Sequence, residues 1–274
     1  MTGLAAQPAR RTGTAMSTSY TFDNAWQQAR RRLALLAESL DPATQRRMRA
    51  IGVGTGWQCL DVGAGGGSIA QWLCTQVGAG GRVIATDIDT RFLDALAAPN
   101  LEVRRHDVSV DSLPDRAFDL VHARLVLMHL PAREEVLPRL IAASRPGGWL
   151  LFEEHDFFPI AATRSEAYAR VFEAMGRALV AAGARADWGR ELPSRLAAHG
   201  LIEVGAEADV PLFRGASPMA EFLLLSMVQL RERVLGAGAS EHDVDRVLEE
   251  LGDPMQWFVG PAMVAVWGRR PSML

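Results

Sequence analysis

The sequence predicts an α/β fold built on a doubly wound parallel sheet with helices on both faces, and three observations predict it. Apolar runs of strand length, near residues 59–62, 82–87, 101–108, 118–124 and 149–155, alternate with apolar residues at helical spacing. The first run passes directly into a glycine cluster (Gly63, Gly65, Gly66, Gly67) and then into a helical pattern of Ile69, Leu73 and Val77, which reads as strand, tight turn and helix. Asp61, Asp87, Asp107, Arg124 and His155 all fall at the carboxyl ends of these runs, where open α/β sheets bind their ligands. With 274 residues, 49% hydrophobic and 22% charged, the chain can bury one sizeable core with a smaller cap.

The elements follow in order. Residues 1–19 are small and polar, and no apolar segment follows Arg10–Arg11, so a disordered tail and a cytoplasmic protein are expected. From Tyr20 the aromatics Phe22 and Trp26 lead into a stripe of Ala29, Leu33, Leu36, Ala37 and Leu40. Asp41 followed by Pro42 reads as the N-cap of a short second helix that stops near Gly52. Residues 20–53 thus form a helical N-terminal lid. The core, residues 54–160, starts with the strand at Cys59 and its helix, which stops at Val77–Gly78. The second strand is Arg82–Asp87, Asp89 caps a helix bearing Phe92, Leu93 and Leu96, and the third strand is Leu101–Val108. Phe118–Arg124 is the fourth strand. The helix after it must start near Glu135, because Pro138 would break one begun at Pro131. Trp149–His155 is the fifth strand, after the turn Arg145-Pro-Gly-Gly148.

Residues 161–274 complete the sheet. Thr163-x-x-Glu166 reads as a capping box for a helix ended by Gly183, and Leu201–Phe213 as a sixth strand. Ser217–Pro218 caps a helix with Phe222, Leu223, Leu224, Leu225, Met227 and Val228, apolar on more than one face. Such a helix belongs to a lid or a subunit contact, so residues 217–252 are expected to insert as a helical substrate lid. A homo-oligomer would form through the N-terminal helices or residues 217–235. Met263–Trp267 is the last strand.

Composition excludes several function classes. All 29 basic residues are arginine, so lysine Schiff-base chemistry is impossible. A formal net charge of −3 gives no nucleic-acid footprint, which needs a basic excess. Arg30–Arg32 and Arg46–Arg47 lie on helical patterns and are expected to be solvated faces. No apolar run is long enough to span a bilayer. Cys59 and Cys74 have no metal-type partners at a recognisable spacing and are expected as buried free thiols, with no metal site.

The glycine turn decides the ligand. Gly65-x-Gly67-x-x-Ala70 formally meets the dinucleotide fingerprint, with Asp87 as its acidic residue, so an NAD(P)-dependent oxidoreductase is one reading. The other is Asp61-x-Gly63-x-Gly65-x-Gly67. A carboxylate two residues before the first glycine repels a pyrophosphate but favours a cationic amino acid and sulfonium. This pattern, then Asp87, then His106-Asp107-Val108, then Phe118-Asp-Leu-Val121, then Arg145-Pro-Gly-Gly148, resembles the class I S-adenosylmethionine-dependent methyltransferases of small-molecule type, over roughly residues 54–156. The resemblance implies a Rossmann-like seven-stranded sheet whose last strand is antiparallel beside the fifth, with S-adenosyl-L-methionine as cosubstrate. It places Gly63, Ala64 and Gly65 under the methionine part of the donor and Asp87 with Ile88 at the ribose. Asp107 and Val108 would hold the adenine, Ala123 or Arg124 would meet the amino acid end, and His129 matches a position near the donor.

Methyl transfer from a sulfonium mainly requires alignment and exclusion of water, and an O, N or C acceptor can also need a base. The candidates are His155, then Asp156, Glu154 or Tyr20; the alternative for Glu153–Asp156 is a solvated strand end. The apolar lids suggest a hydrophobic small molecule of secondary metabolism. A non-methylating relative that uses the same scaffold for a cyclisation is a third reading.

Overall fold

In a computed structural model that describes residues 22–272, seven strands form one sheet whose pleat sorts the core. Its strands are β1 (Gln58–Val62), β2 (Arg82–Asp87), β3 (Leu101–Arg105), β4 (Phe118–Arg124), β5 (Ser144–Asp156), β6 (Ile202–Asp209) and β9 (Ala262–Arg269), in the order β3-β2-β1-β4-β5-β9-β6. β1 to β5 are parallel, and β9 runs antiparallel between β5 and β6. Alternate residues serve opposite faces. Cys59, Val83, Leu120 and Leu151 pack with helix α2 (Ser68–Val77), whereas Leu60, Ile84, Val121 and Leu150 pack with α3 (Arg133–Ala143) and α5 (Trp188–Ala198). A third core joins α1 (Ala29–Ala50), α4 (Glu166–Ala181), α6 (Pro218–Gly236) and α7 (Glu241–Gly252).

The crossover order places β1 at the reversal of direction, so the turn after β1 opens at the switch point where doubly wound sheets hold ligands. Gly67 begins α2 at φ +78°, and a Cβ there would lie 2.2 Å from Leu96 Cδ1. Only glycine fits both the backbone and the space. Ser217 and Ser240 cap α6 and α7 by accepting hydrogen bonds from the amides of Ala220 and Asp243. Among the described residues, no helix is long and apolar enough to cross a membrane.

The structure corrects several local expectations. α1 continues through Pro42 instead of breaking there, and Asp41 caps nothing. Asp41, Thr44 and Arg47 lie on one face of successive turns and bond to Arg124 and Glu153, and these bonds hold the helix together across the proline. Arg32 and Arg47 are buried and not solvated. Residues 91–95 are turns, because the Asp89 carboxylate accepts from Arg91 N and Nε and closes a local loop. β3 ends at Arg105, and Asp107 lies beyond it, accepting from Ser109 N. α3 starts at Arg133 and contains Pro138, whose missing bond falls on the carbonyl of Glu134 in the first turn. Ser165, not Thr163, caps α4, because Glu166 is already the first helical residue. The segment expected as one sixth strand is two, β6 and β7 (Leu212–Arg214). Pro211 has no amide to continue the ladder, and β7 instead pairs with β8 (Trp257–Val259) in a separate two-stranded sheet. Tyr20 and the expected tail lie outside the described residues.

Replacing Pro42 restores the bond to the Glu38 carbonyl, a gain of about 3 kcal/mol, less up to about 1 kcal/mol for the more flexible unfolded chain. Pro42→Ala is therefore expected to raise stability by roughly 2 kcal/mol in urea unfolding. A lowered midpoint would show that the proline is needed to seat Arg47.

Candidate active site

At the carboxyl ends of β1 to β5, a cavity of about 490 Å³ lies under α1, α4 and α6. Its floor is the glycine turn. Gly63 (φ +65°) faces Val126 so closely that a Cβ would sit 2.4 Å from Val126 Cγ2, which keeps the main chain bare at the cavity. Gly65 N donates to Asp87 Oδ2 at 2.9 Å, and Asp89 N donates to Asp87 Oδ1 at 3.0 Å. Burial pushes the Asp87 carboxyl up despite these two donors. Asp61, Gly63, Ala64, Gly65, Asp87 and Ile88 all line this cavity, as do Asp107, Val108, Arg124, His129 and His155. Ile88 presents an exposed apolar side chain beside Asp87.

Beneath the cavity runs a buried polar chain that sequence reasoning missed. His122, in the middle of β4, donates from Nδ1 to Asp61 Oδ1 at 2.7 Å and from Nε2 to Glu153 Oε2 at 3.3 Å. Both partners are carboxylates, which accept only, so both ring nitrogens carry protons. Burial works against this charge, but the two hydrogen bonds outweigh it and raise His122 to about 9. Burial would likewise raise Glu153, and the bond from His122 holds it down at about 2 instead. Thr44 Oγ1 donates to Glu153 Oε2 at 2.7 Å and Arg47 Nη1 to Glu153 Oε1 at 2.6 Å. Arg47 reaches on to Glu207 and Asp209 of β6. The one available signal was a polar run, Phe-Glu-Glu-His-Asp, inside a strand otherwise fit for the core.

The candidate bases separate in the structure. His155 faces the cavity, edge-on to Phe157 at 6.4 Å between ring centroids. Burial, aided by His129 and Arg124, lowers it to about 3. His129 packs edge-on to Phe22 at 6.3 Å and is lowered to about 4 by burial and by the Arg32 and Arg133 cations. Both imidazoles are neutral across the physiological range. Asp156 is not among the residues lining the cavity; it accepts from Phe158 N and pairs with Arg190. The expected solvated strand end is likewise replaced, since Glu153, Glu154 and Asp156 are all buried. Arg124 donates to Thr44 Oγ1 at 3.0 Å and to Asp41 Oδ1 at 2.8 Å, so part of its donor set already serves α1. Among the described residues no group of three or more His, Cys, Asp or Glu is arranged to hold a metal.

The sheet order, with β9 inserted antiparallel, and the acid-flanked glycine turn meet in one comparison. A family model described as a methyltransferase domain matches residues 60–152. The seven-stranded sheet to which these residues belong has the Rossmann-like methyltransferase fold. Similar proteins include the methyltransferase str2 of Strobilurus tenacellus, 37% identical over 101 residues, which are 36% of this chain and 35% of that protein. The ubiquinone/menaquinone biosynthesis C-methyltransferase UbiE of Pseudomonas fluorescens is 31% identical over 111 residues, 38% of this chain and 43% of that protein. The chain thus spans less than half the length of either relative. The fold resembles that of the Haemonchus contortus phosphoethanolamine N-methyltransferase 2, at TM-score 0.55 and 16% identity, over 88% of this chain and 52% of that one. It also resembles the YcgJ protein of Bacillus subtilis, at TM-score 0.52 and 12% identity, over 84% and 98%.

On the opposite side of β5 from the buried chain, Glu154 Oε1 accepts from Leu127 N at 2.8 Å while Oε2 is buried without a hydrogen-bond partner among the described residues. Burial raises this carboxyl to about 8. The fold thus keeps a proton that the unfolded chain releases near its ordinary value, so stability falls as pH rises between about 4.5 and 8. Unfolding by urea at pH 5.5 and pH 8 is expected to show a smaller alkaline loss in Glu154→Gln than in the unaltered protein. Equal losses would mean that Glu154 is ionised in the fold.

Proposed function

We propose that this chain is an S-adenosylmethionine-dependent methyltransferase acting on a hydrophobic small molecule, as in secondary metabolism. The observation that carries the reading is the pairing of Asp87 with the glycine turn at the floor of the cavity. Gly65 N already donates to a carboxylate, so the turn is poorly disposed to receive a pyrophosphate, and the acids around it favour a ligand with hydroxyl and cationic groups. The residues present fit the donor. Gly63 and Gly65 leave bare main chain for the methionine part, Asp87 has lone pairs left for a ribose diol, and Ile88 and Val108 offer apolar contact beside Asp107 for the adenine.

The donor, when bound, supplies a methyl group on a sulfonium, an activated centre that needs no further activation from the protein. The chain's residues then have three tasks: to seat the donor on the turn, to hold the acceptor on the far side of the methyl, and to exclude water. α1, α4 and α6 close over the strand ends with Phe22, Leu36, Phe172, Met175, Phe222 and Leu223 in the cavity wall, which serves both exclusion and an apolar acceptor. His155, neutral and facing the cavity, is a group to orient the acceptor or take a proton from it.

Two measurements test this. S-adenosylhomocysteine is expected to raise the thermal midpoint where NADPH does not, and Asp87→Ala to weaken its binding about 10- to 100-fold, the effect of losing a charged hydrogen-bond acceptor. A midpoint raised by NADPH alone would establish the oxidoreductase reading instead. His155→Ala is expected to lower turnover about 100-fold while sparing S-adenosylhomocysteine affinity. Unchanged turnover removes His155 from the mechanism, and donor binding with no acceptor that gains a methyl group favours the non-methylating reading.

A further inference from the structure

The chain leaving β4 is held from below by side chains that never reach the cavity. Residues 125–130 follow Arg124 and supply Leu125, Val126, Met128, His129 and Leu130 to the cavity wall. Leu125 adopts φ +57°, a left-handed conformation that is costly for a residue with a Cβ and persists only where the surroundings impose it. On one side the restraint is backbone: Leu125 N donates to the Glu153 carbonyl at 2.8 Å. On the other side the chain enters a single turn of 3₁₀ helix, Leu127–His129, and Val126 before it has no side-chain group to cap it. Two buried side chains from distant elements take over that task. Glu154 of β5 faces the amides of Val126, Leu127 and Met128 and accepts from Leu127 N at 2.8 Å. Arg133 of α3 donates from Nε to the Leu127 carbonyl at 3.2 Å and from Nη2 to the Met128 carbonyl at 3.4 Å. A carboxyl at the N–H end and a guanidinium at the C=O end complement the polarity of the turn.

This grip sets one contact in particular. Val126 Cγ2 stands 2.4 Å from where a Cβ of Gly63 would be, so Val126 fills the space of the missing Cβ and bears directly on the main chain of the glycine turn. Released from Leu127 N, the segment could let Leu125 relax out of its left-handed conformation, and Val126 would leave Gly63. Glu154 itself does not line the cavity and touches neither donor nor acceptor. A Cβ on Gly189 of α5 would stand 2.9 Å from Val264 Cβ and 3.5 Å from Glu154 Cβ, so α5 is pressed against β5 and β9 beside Glu154. Resting on the methyltransferase reading above, we propose that Glu154 is a positioning residue: through Leu127 N it fixes Val126 on Gly63 and so shapes the seat for the amino acid end of the donor, leaving the nucleoside end to Asp87 and Asp107. A neutral carboxyl is enough for this. Burial raises Glu154 to about 8, and all that Leu127 N requires is a carbonyl oxygen at that place, which an amide side chain of the same length also provides.

The test uses the full chain and two probes, S-adenosylhomocysteine and 5′-methylthioadenosine, which carries the same nucleoside but no amino acid end. By calorimetry, Glu154→Leu is expected to weaken S-adenosylhomocysteine about tenfold and to leave 5′-methylthioadenosine within about twofold. Glu154→Gln is expected to return S-adenosylhomocysteine to within about twofold of the unaltered protein. Hydrogen exchange on the ligand-free chain should show the amides of residues 125–130 opening about tenfold faster in Glu154→Leu than in Glu154→Gln. If Glu154→Leu does not fold, Glu154→Asp, which is one methylene short of Leu127 N, carries the same expectations. Equal weakening of the two probes would assign Glu154 to the fold as a whole and overturn the proposal. Unchanged S-adenosylhomocysteine affinity in the folded variant, no recovery in Glu154→Gln, or unchanged exchange over 125–130 would overturn it too, and each of these results leaves the methyltransferase reading standing. Failure of the unaltered chain to bind S-adenosylhomocysteine would instead remove that reading and the proposal with it.

Discussion

One buried line of alternating charge, Asp61–His122–Glu153–Arg47, ties together the parts of this protein that have to agree for a site to exist. It crosses β1, β4 and β5 in the plane of the sheet, passes into α1, and ends on Glu207 and Asp209 of β6. Desolvating four ionised groups costs several kcal/mol each, and the cost is met only when every group has its complement in good geometry. Here each member has one. Removing a single partner would leave a buried charge exposed to that full penalty, about 3–5 kcal/mol. The chain is therefore a condition on the fold as much as a contribution to it: α1 docks in the one register that brings Thr44 and Arg47 to Glu153, and that register sets Leu33 over the glycine turn and Arg32 into the cavity wall.

The same chain explains how a helix containing proline stays continuous and how a short strand can carry an acid next to the turn. Asp61 is 3% exposed, and a carboxylate at such a depth needs a hydrogen-bond donor. Doubly hydrogen-bonded His122 supplies it at 2.7 Å. Glu154, one residue from Glu153 but on the other side of β5, shows the contrast. It lacks a cation at hydrogen-bond distance and its carboxyl is pushed up to about 8. Neighbours in sequence thus hold opposite protonation states because the pleat sends them to different surroundings.

Much of the architecture was legible because it depends on local patterns. The strand runs, the glycine turn, the Val77–Gly78 stop and the Ser217 cap are each specified within a few residues, and the acids at the ends of β1 and β2 follow once the strands are placed. The failures share a different physics. Asp41–Pro42 reads locally as a helix start, and only a partner more than eighty residues away, Arg124, makes it a helix interior. Arg47 reads as a solvated charge until Glu153 and Glu207 are brought to it. Asp156 has the composition of a base, but Arg190 from α5 takes it out of the cavity. His122 had no local signature at all, since a histidine inside an apolar strand looks the same whether or not two carboxylates flank it in space.

Relatives of this chain inform the two halves of the cavity unequally. The matched domain, residues 60–152, contains the glycine turn, Asp87 and Asp107, and so accounts for the side of the cavity over β1 to β3. His155, Phe157, Phe172 and Phe222 come after it, and Phe22 and Arg32 come before it. The wall over β4 and β5 thus combines Arg124 and His129 from inside the matched residues with side chains from outside them. A shared sheet constrains what the flanking helices must cover and says nothing about the side chains they bring. The apolar wall that Leu36 of α1, Phe172 and Met175 of α4 and Phe222 and Leu223 of α6 place over the strand ends is a property of this sequence and not of the fold.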